Sequence, residues 1–163
     1  QEPYTISIAL NEYLASAGRS KLTNTHIIAT DISTSMLEEA KRAYYEAGTL
    51  ERGLSEQRKR SYFKQVESGW TVIDEIKRRV SFKPQNLLES YVGLGKFDII
   101  FCRNVLIYFS PERKTDILKR MAEILNPGGY LFLGASETTV GDSDDFDMRR
   151  SSAGVFFQLK VRG

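Results

Sequence analysis

The chain has 163 residues, the size of a single domain, and its 23 Lys and Arg against 21 Asp and Glu leave a formal charge of +2. That balance argues against a globally cationic nucleic-acid binder or a membrane-surface protein, no apolar run reaches the ~20 residues of a membrane span, and no secretory signal opens the chain. One Cys and one His exclude an intramolecular disulfide framework and argue against a structural zinc site, which wants four such ligands. The expectation is a cytoplasmic α/β domain with no metal and no direct membrane insertion.

Pro3 suits a first helical turn, Ile6, Leu10, Tyr13, Leu14 and Ala17 follow at helical spacing, and Gly18 is placed to stop the helix. A chain that opens at the entrance of a helix is expected to have lost something upstream. His26-Ile27-Ile28-Ala29-Thr30 reads as a buried strand ended by Asp31. Ser35-Met36-Leu37-Glu38 then fits a capping box, opening a helix with Met36, Ala40, Ala43, Tyr44 and Ala47 on one stripe and Gly48 at its end. From 51 to 83 the chain turns basic, with nine Lys and Arg (52, 58, 59, 60, 64, 77, 78, 79 and 83) against five acids (51, 56, 67, 74 and 75). This segment is expected to form a helix over 55–62, a small hairpin of strands 63–66 and 70–73 about Glu67-Ser68-Gly69, and a strand over 80–85 leading into Asn86-Leu87-Leu88. Its excess of cations suits docking on an acidic protein surface.

Phe97-Asp98-Ile99-Ile100-Phe101-Cys102 reads as another buried strand. Ser110 and Pro111 start a helix with Ile117, Leu118, Met121, Ile124 and Leu125 as its core stripe, and Asn126-Pro127-Gly128-Gly129 ends it. A strand over 130–133, an acidic loop (Asp142, Asp144, Asp145, Asp147) and a last strand over 155–159 complete the chain. Strands alternating with helices imply a mostly parallel sheet covered on both faces.

In such sheets ligands sit at the carboxyl ends of the strands, which points to Asp31, Asn86, Arg103-Asn104 and Ser136-Glu137. A carboxylate at Asp31 can accept from both hydroxyls of a ribose, or simply stabilise a helix entrance. The Asn86 amide carries a donor and an acceptor, suited to the edge of an adenine or to breaking the strand into a turn. Arg103, following an apolar strand, needs a carboxylate or open water. Tyr108 lies four residues past Asn104, and its hydroxyl could orient a substrate carboxylate or pack in the core. Cys102 reads as an inert core thiol and His26 as a satisfied core or edge histidine. Tyr62, Phe63 and Trp70 read as the core of the hairpin rather than a nucleic-acid stacking platform. The chain carries no Gly-x-Ser-x-Gly elbow, no phosphate-binding Gly-rich loop with Lys-Ser/Thr and no His-Glu-x-x-His.

The order and spacing of Glu2-Pro3-Tyr4, Ala29-Thr30-Asp31-Ile32, Asn86-Leu87-Leu88, the run 101–109 (Phe-Cys-Arg-Asn-Val-Leu-Ile-Tyr-Phe), and the run 127–134 with Ser136-Glu137 resemble the CheR-type chemotaxis receptor methyltransferases. The resemblance covers essentially the whole chain, and the 101–109 stretch is specific to that family. It implies a Rossmann-like class I S-adenosylmethionine-dependent methyltransferase sheet over 1–163, partial at its N-terminus, with a small antiparallel β-subdomain inserted at about 63–79. It further implies a protein-glutamate O-methyltransferase that forms methyl esters on glutamates of methyl-accepting receptors, with S-adenosylhomocysteine as product. By the same resemblance Glu2 and Asp31 contact the cofactor, Asp31 on the ribose, Asn86 and Leu87 flank the adenine, Arg103 and Asn104 line the cofactor pocket, and Tyr108 matches the family's catalytic tyrosine.

Three departures from the family pattern accompany the match. The Gly-rich turn, the strand before it and the N-terminal helical domain of the family do not precede Gln1. Without that strand, residues 1–163 alone are not expected to form a stable monomeric enzyme. The loop 64–69 is shorter than in members that grip a receptor's C-terminal peptide, which argues against such a tether. Ala135 stands where many members have His. The competing readings are a non-catalytic receptor-binding module and a small-molecule methyltransferase.

Overall fold

The computed structural model describes residues 1–16, 24–51, 53–139, 141 and 143–161. Ala17 and Gly18 of the first expected helix, most of the loop after it, Arg52 and Asp142 lie outside these. Two compact units divide the chain, Gln1–Asn86 and Leu87–Gly163.

In the first unit, α1 (Glu2–Ser16) buries Tyr4, Ser7 and Ile8, not the expected stripe of Ile6, Leu10 and Tyr13. Tyr13 is 54% exposed. The polar members of the buried face explain the shift. Ser7 Oγ donates to the Ile76 carbonyl (3.0 Å) and the Tyr4 hydroxyl to that of Ala40 (2.9 Å), so a serine and a tyrosine can face the core with their donors satisfied. β1 (Ile27–Asp31) pairs in parallel with β5 (Val80–Pro84), Asp31 beside Pro84. His26 is exposed just ahead of β1 and bonds Ser81 Oγ through Nε2 at 2.9 Å.

Between these strands, α2 (Thr34–Arg42) is capped by Ser33, whose hydroxyl accepts from the Met36 N–H, and not by Ser35. The helix also ends earlier than its apolar stripe suggests. Ala43 closes it in the left-handed region at φ 51°, and residues 44–46 become β2 (Tyr44–Glu46). α3 (Glu56–Tyr62), capped by Ser55, leads into β3 (Phe63–Val66) and β4 (Gly69–Val72). The three form an antiparallel sheet of order β2-β4-β3, so the small β-subdomain draws a strand from outside 63–79. α4 (Asp74–Lys77), a single turn that the sequence pattern does not announce, precedes β5.

Part of the basic charge in this unit is used internally. Arg58 forms a two-pronged bridge to Glu12 (2.9 and 2.6 Å), and the Lys59 ammonium lies 4.7 Å from the centre of the Trp70 ring. Arg60 and Lys64 remain exposed. The core consists of Tyr4, Ile8, Ala43, Leu50, Phe63, Val72 and Ile76, with Trp70 and Tyr62 packed against it.

The second unit is built on a strand–helix–strand crossover. β6 (Phe97–Cys102) runs parallel to β7 (Leu125–Leu133), and α5 (Pro111–Ile124) connects them. Ile117, Leu118 and Met121 of α5 are buried, as their spacing predicts. Asn126-Pro127-Gly128-Gly129 lies inside β7, where the register with β6 shifts between Phe97 and Ile99. β8 (Phe146–Ser151) and β9 (Gly154–Leu159) complete a sheet of order β6-β7-β9-β8, antiparallel at its far end. β8 takes the place of the end of the expected acidic loop. Cys102 is buried in this core. The parallel pairs β1–β5 and β6–β7 carry the expected Rossmann-like α/β character, but the other described pairings are antiparallel, so the strands do not form the one mostly parallel sheet expected.

Candidate active site

Asp31 and Asn86 lie at the same end of the parallel pair β1 and β5 in the first unit, with Asp31 beside Pro84. The Asp31 carbonyl accepts the Gln85 N–H at 3.0 Å, which fixes the chain one residue before Asn86. The exposed Asp31 carboxylate accepts the Ser33 N–H at 2.8 Å through Oδ1. It therefore performs the local turn-forming role open to an Asp at a helix entrance while its exposed group faces solvent. A carboxylate at the end of β1 and a carboxamide two residues past β5 thus both follow strand ends of one parallel pair, where ligands of α/β sheets bind. Glu2 occupies the first turn of α1 and is exposed.

Leu87 opens the second unit and packs against its core, while its carbonyl accepts the Tyr91 hydroxyl at 2.7 Å. Burial pushes the Tyr91 phenol above its ordinary value. The boundary between the units thus falls between Asn86 and Leu87, the pair expected to flank adenine.

Arg103 and Asn104 follow β6 directly, both exposed. Asn104 sits in the left-handed region at φ 58°, which an Asn tolerates better than most residues. That reversal turns the next N–H groups inward, and a single 3₁₀ turn, Leu106–Tyr108, brings Tyr108 to the surface at 82% exposure. Leu106, only 2% exposed, anchors the turn in the core. Tyr108 is accordingly a displayed side chain, not a core aromatic.

What holds this turn is Glu137, one of the strand-end residues the sequence points to, although its clamping of main-chain amides is not legible there. Its Oε2 accepts the N–H of Asn104 (2.7 Å) and of Gly134 (2.7 Å). Its Oε1 accepts those of Val105 (3.0 Å), Leu106 (2.8 Å) and Ile107 (3.3 Å). One carboxylate thereby gathers four consecutive amides past β6 and ties them to the end of β7. A Cβ on Gly134 would stand 2.6 Å from Glu137 Oε2 and 2.9 Å from the Asn104 nitrogen, so only glycine permits the approach. Burial works to raise the Glu137 carboxyl, but hydrogen bonds from Gly134, Asn104, Leu106 and Ile107 outweigh it and leave the group below its ordinary 4.5. A Gly, an Asn after a strand and a Glu are the only sequence traces of this clamp, because its partners are main-chain groups.

Among the described residues there is no cluster of three or more His, Cys, Asp or Glu able to hold a metal ion, and no helix long and apolar enough to cross a membrane.

The family model for the CheR methyltransferase, SAM binding domain, matches residues 1–155. A chemotaxis protein methyltransferase of Vibrio parahaemolyticus is 50% identical over 161 residues, covering 98% of this chain and 58% of that protein. Chemotaxis protein methyltransferase Cher2 of Pseudomonas putida is 49% identical over 162 residues, with the same coverage, and chemotaxis protein methyltransferase 1 of Pseudomonas aeruginosa is 47% identical over 161 residues, covering 98% and 59%. The chain spans somewhat over half the length of these relatives.

Proposed function

This chain belongs to the CheR methyltransferase family, matching its SAM-binding domain, and we propose that it acts in a protein-glutamate O-methyltransferase that esterifies glutamates on the cytoplasmic domain of methyl-accepting receptors. On this reading the enzyme works in the cytoplasm. S-adenosylmethionine, when bound, supplies a methyl group on a sulfonium: the carbon–sulfur bond breaks as a bond to the glutamate oxygen forms, and neutral S-adenosylhomocysteine leaves.

The residues of this chain divide the work. Asp31 accepts from the ribose hydroxyls, Asn86 and Leu87 flank the adenine, and Glu2, Arg103 and Asn104 contribute further cofactor contacts. Tyr108 orients the substrate carboxylate with its hydroxyl. A glutamate is already ionised at neutral pH, so no general base is needed. Catalysis then rests on alignment of the reacting oxygen and exclusion of water. The observation that supports the reading is the exposure of Tyr108 on a turn whose main-chain amides are held by Glu137, where a core aromatic would be buried.

Two variants of the intact protein test it. Asp31→Ala is expected to weaken S-adenosylhomocysteine binding by roughly 1.5–3 kcal/mol, the loss of hydrogen bonds to a charged group. Tyr108→Phe is expected to lower methyl transfer to receptor glutamates with cofactor affinity nearly intact. Unchanged calorimetric affinity in the first variant removes the ribose assignment. Unchanged turnover in the second removes Tyr108 from the reaction.

A further inference from the structure

We infer that Glu137 is a positioning residue for methyl transfer, whose carboxylate sets the presentation of Tyr108 by collecting the main-chain N–H groups of 104–107. The inference rests on the reading of Tyr108 given above and deepens it. Asn104 at φ 58° aims the amides of the following residues at one point, and two oxygens of one side chain fill that point with five hydrogen bonds between 2.7 and 3.3 Å.

Neutral acceptors do this less well. A carboxylate offers about four lone-pair sites and no donor, whereas an amide in its place would set an NH2 group against N–H donors. The carboxylate also spans two strand ends, because Oε2 is shared between Asn104 past β6 and Gly134 at the end of β7. The turn is therefore referenced to the rigid centre of the sheet rather than to neighbouring loop residues. Its last residue is Tyr108 itself, whose N–H donates to the Val105 carbonyl at 3.2 Å, so a shift of the clamped amides is passed directly to the tyrosine. Glu137 touches no reacting atom on this account, and misplacement of a positioning group by about 1 Å costs as much as a hundredfold in rate.

The test is a double-mutant cycle in the intact protein, with Glu137→Gln, Tyr108→Phe and the pair. It reads kcat and KM for receptor methylation together with S-adenosylhomocysteine affinity and thermal midpoint. Glu137→Gln is expected to lower kcat roughly ten- to a hundredfold, beyond any change in KM for S-adenosylmethionine that follows from the shift of Asn104. Tyr108→Phe in that background is expected to cost much less than in the wild type, because the hydroxyl is already out of place. A purely structural glutamate would instead lower the thermal midpoint and leave the cost of Tyr108→Phe unaltered, and that result overturns the inference. So does an unchanged kcat in Glu137→Gln while Tyr108→Phe remains impaired.

If Tyr108→Phe alone leaves kcat intact, the catalytic reading of Tyr108 falls and the inference falls with it. Should Glu137→Gln fail to fold, Gly134→Ala crowds the same oxygen from the opposite side and is expected to show the same kcat loss and the same non-additivity. A folded Gly134→Ala enzyme with normal kcat overturns the inference as well.

Discussion

Glu137 balances its charge against main-chain dipoles, and this gives its ionisation a visible place in the acid stability of the protein. Its folded-state carboxyl lies below the ordinary 4.5 because the amide hydrogen bonds outweigh burial. A depressed folded value means that the stabilisation is fully present above 4.5 and is lost as the pH falls from there through the folded value. Urea unfolding of wild type and Glu137→Gln is expected to show a stability difference in favour of wild type at pH 7 that shrinks on acidification below 4.5. A difference that stays constant down to pH 3 shows that the clamp does not ionise as described. At this scale the sequence is legible where a residue's role depends on its own side chain at a strand end. Asp31, Asn86, Arg103, Asn104 and Glu137 can all be picked out from position alone. The role of Glu137 cannot, since its five partners are amides that every residue carries, and their convergence depends on the backbone reversal at Asn104. Arg58 is illegible for a different reason: a cation in a basic run looks like a docking group until Glu12, 46 residues earlier in the chain, is brought to it by the fold.

The strands and helices with one strong apolar pattern are the ones that can be read in advance. β6 occupies the residues that its pattern indicates, although it is mostly exposed or half-buried and not buried as expected, and α5 buries the stripe that its spacing indicates. One failure comes from a backbone feature that overrides side-chain periodicity, another from a weak side-chain pattern. The α2 stripe continues through Tyr44, yet Ala43 in the left-handed region ends the helix and releases a third strand to the β-subdomain. β8 alternates only weakly, with Phe146 buried and most of its other residues exposed, so it reads as loop.

Within the β-subdomain the tightest point is Gly69. A Cβ there would collide with the Tyr45 carbonyl oxygen and lie 2.8 Å from the Tyr44 hydroxyl, both belonging to the paired strand β2. The obstruction on one side is main chain and cannot rotate away. Gly69→Ala is expected to destabilise the protein by about 1–3 kcal/mol, the usual cost of overpacking, and to raise amide exchange selectively in residues 44–46 and 63–72. Exchange rates in that segment equal to those of wild type exclude the contact as a constraint.

Among the described residues, β1 and β5 pair only with each other and β6 only with β7, so three parallel strands carry an unpaired edge. The β6 edge is the most hazardous one. It is six residues long, without proline or lysine, and Ile99 and Phe101 are exposed by 48% and 42%. Phe101 stacks on Phe132 at 4.8 Å and Phe132 on Phe156 at 5.7 Å, so an aromatic strip crosses the sheet from that edge. An exposed edge flanked by aromatic surface recruits a strand from another molecule, because its row of unpaired N–H and C=O groups is a template for pairing and a second copy offers the missing partners. Residues 1–163 expressed by themselves are therefore expected to self-associate in a concentration-dependent way in sedimentation velocity. Ile99→Lys, which places a charge on the exposed face of the edge strand, is expected to shift the distribution strongly toward monomer while leaving the far-ultraviolet circular dichroism unchanged. Monomer throughout the micromolar range for the wild-type chain shows that the β6 edge is satisfied in some other way, and equal association of Ile99→Lys shows that the contact lies elsewhere on the molecule.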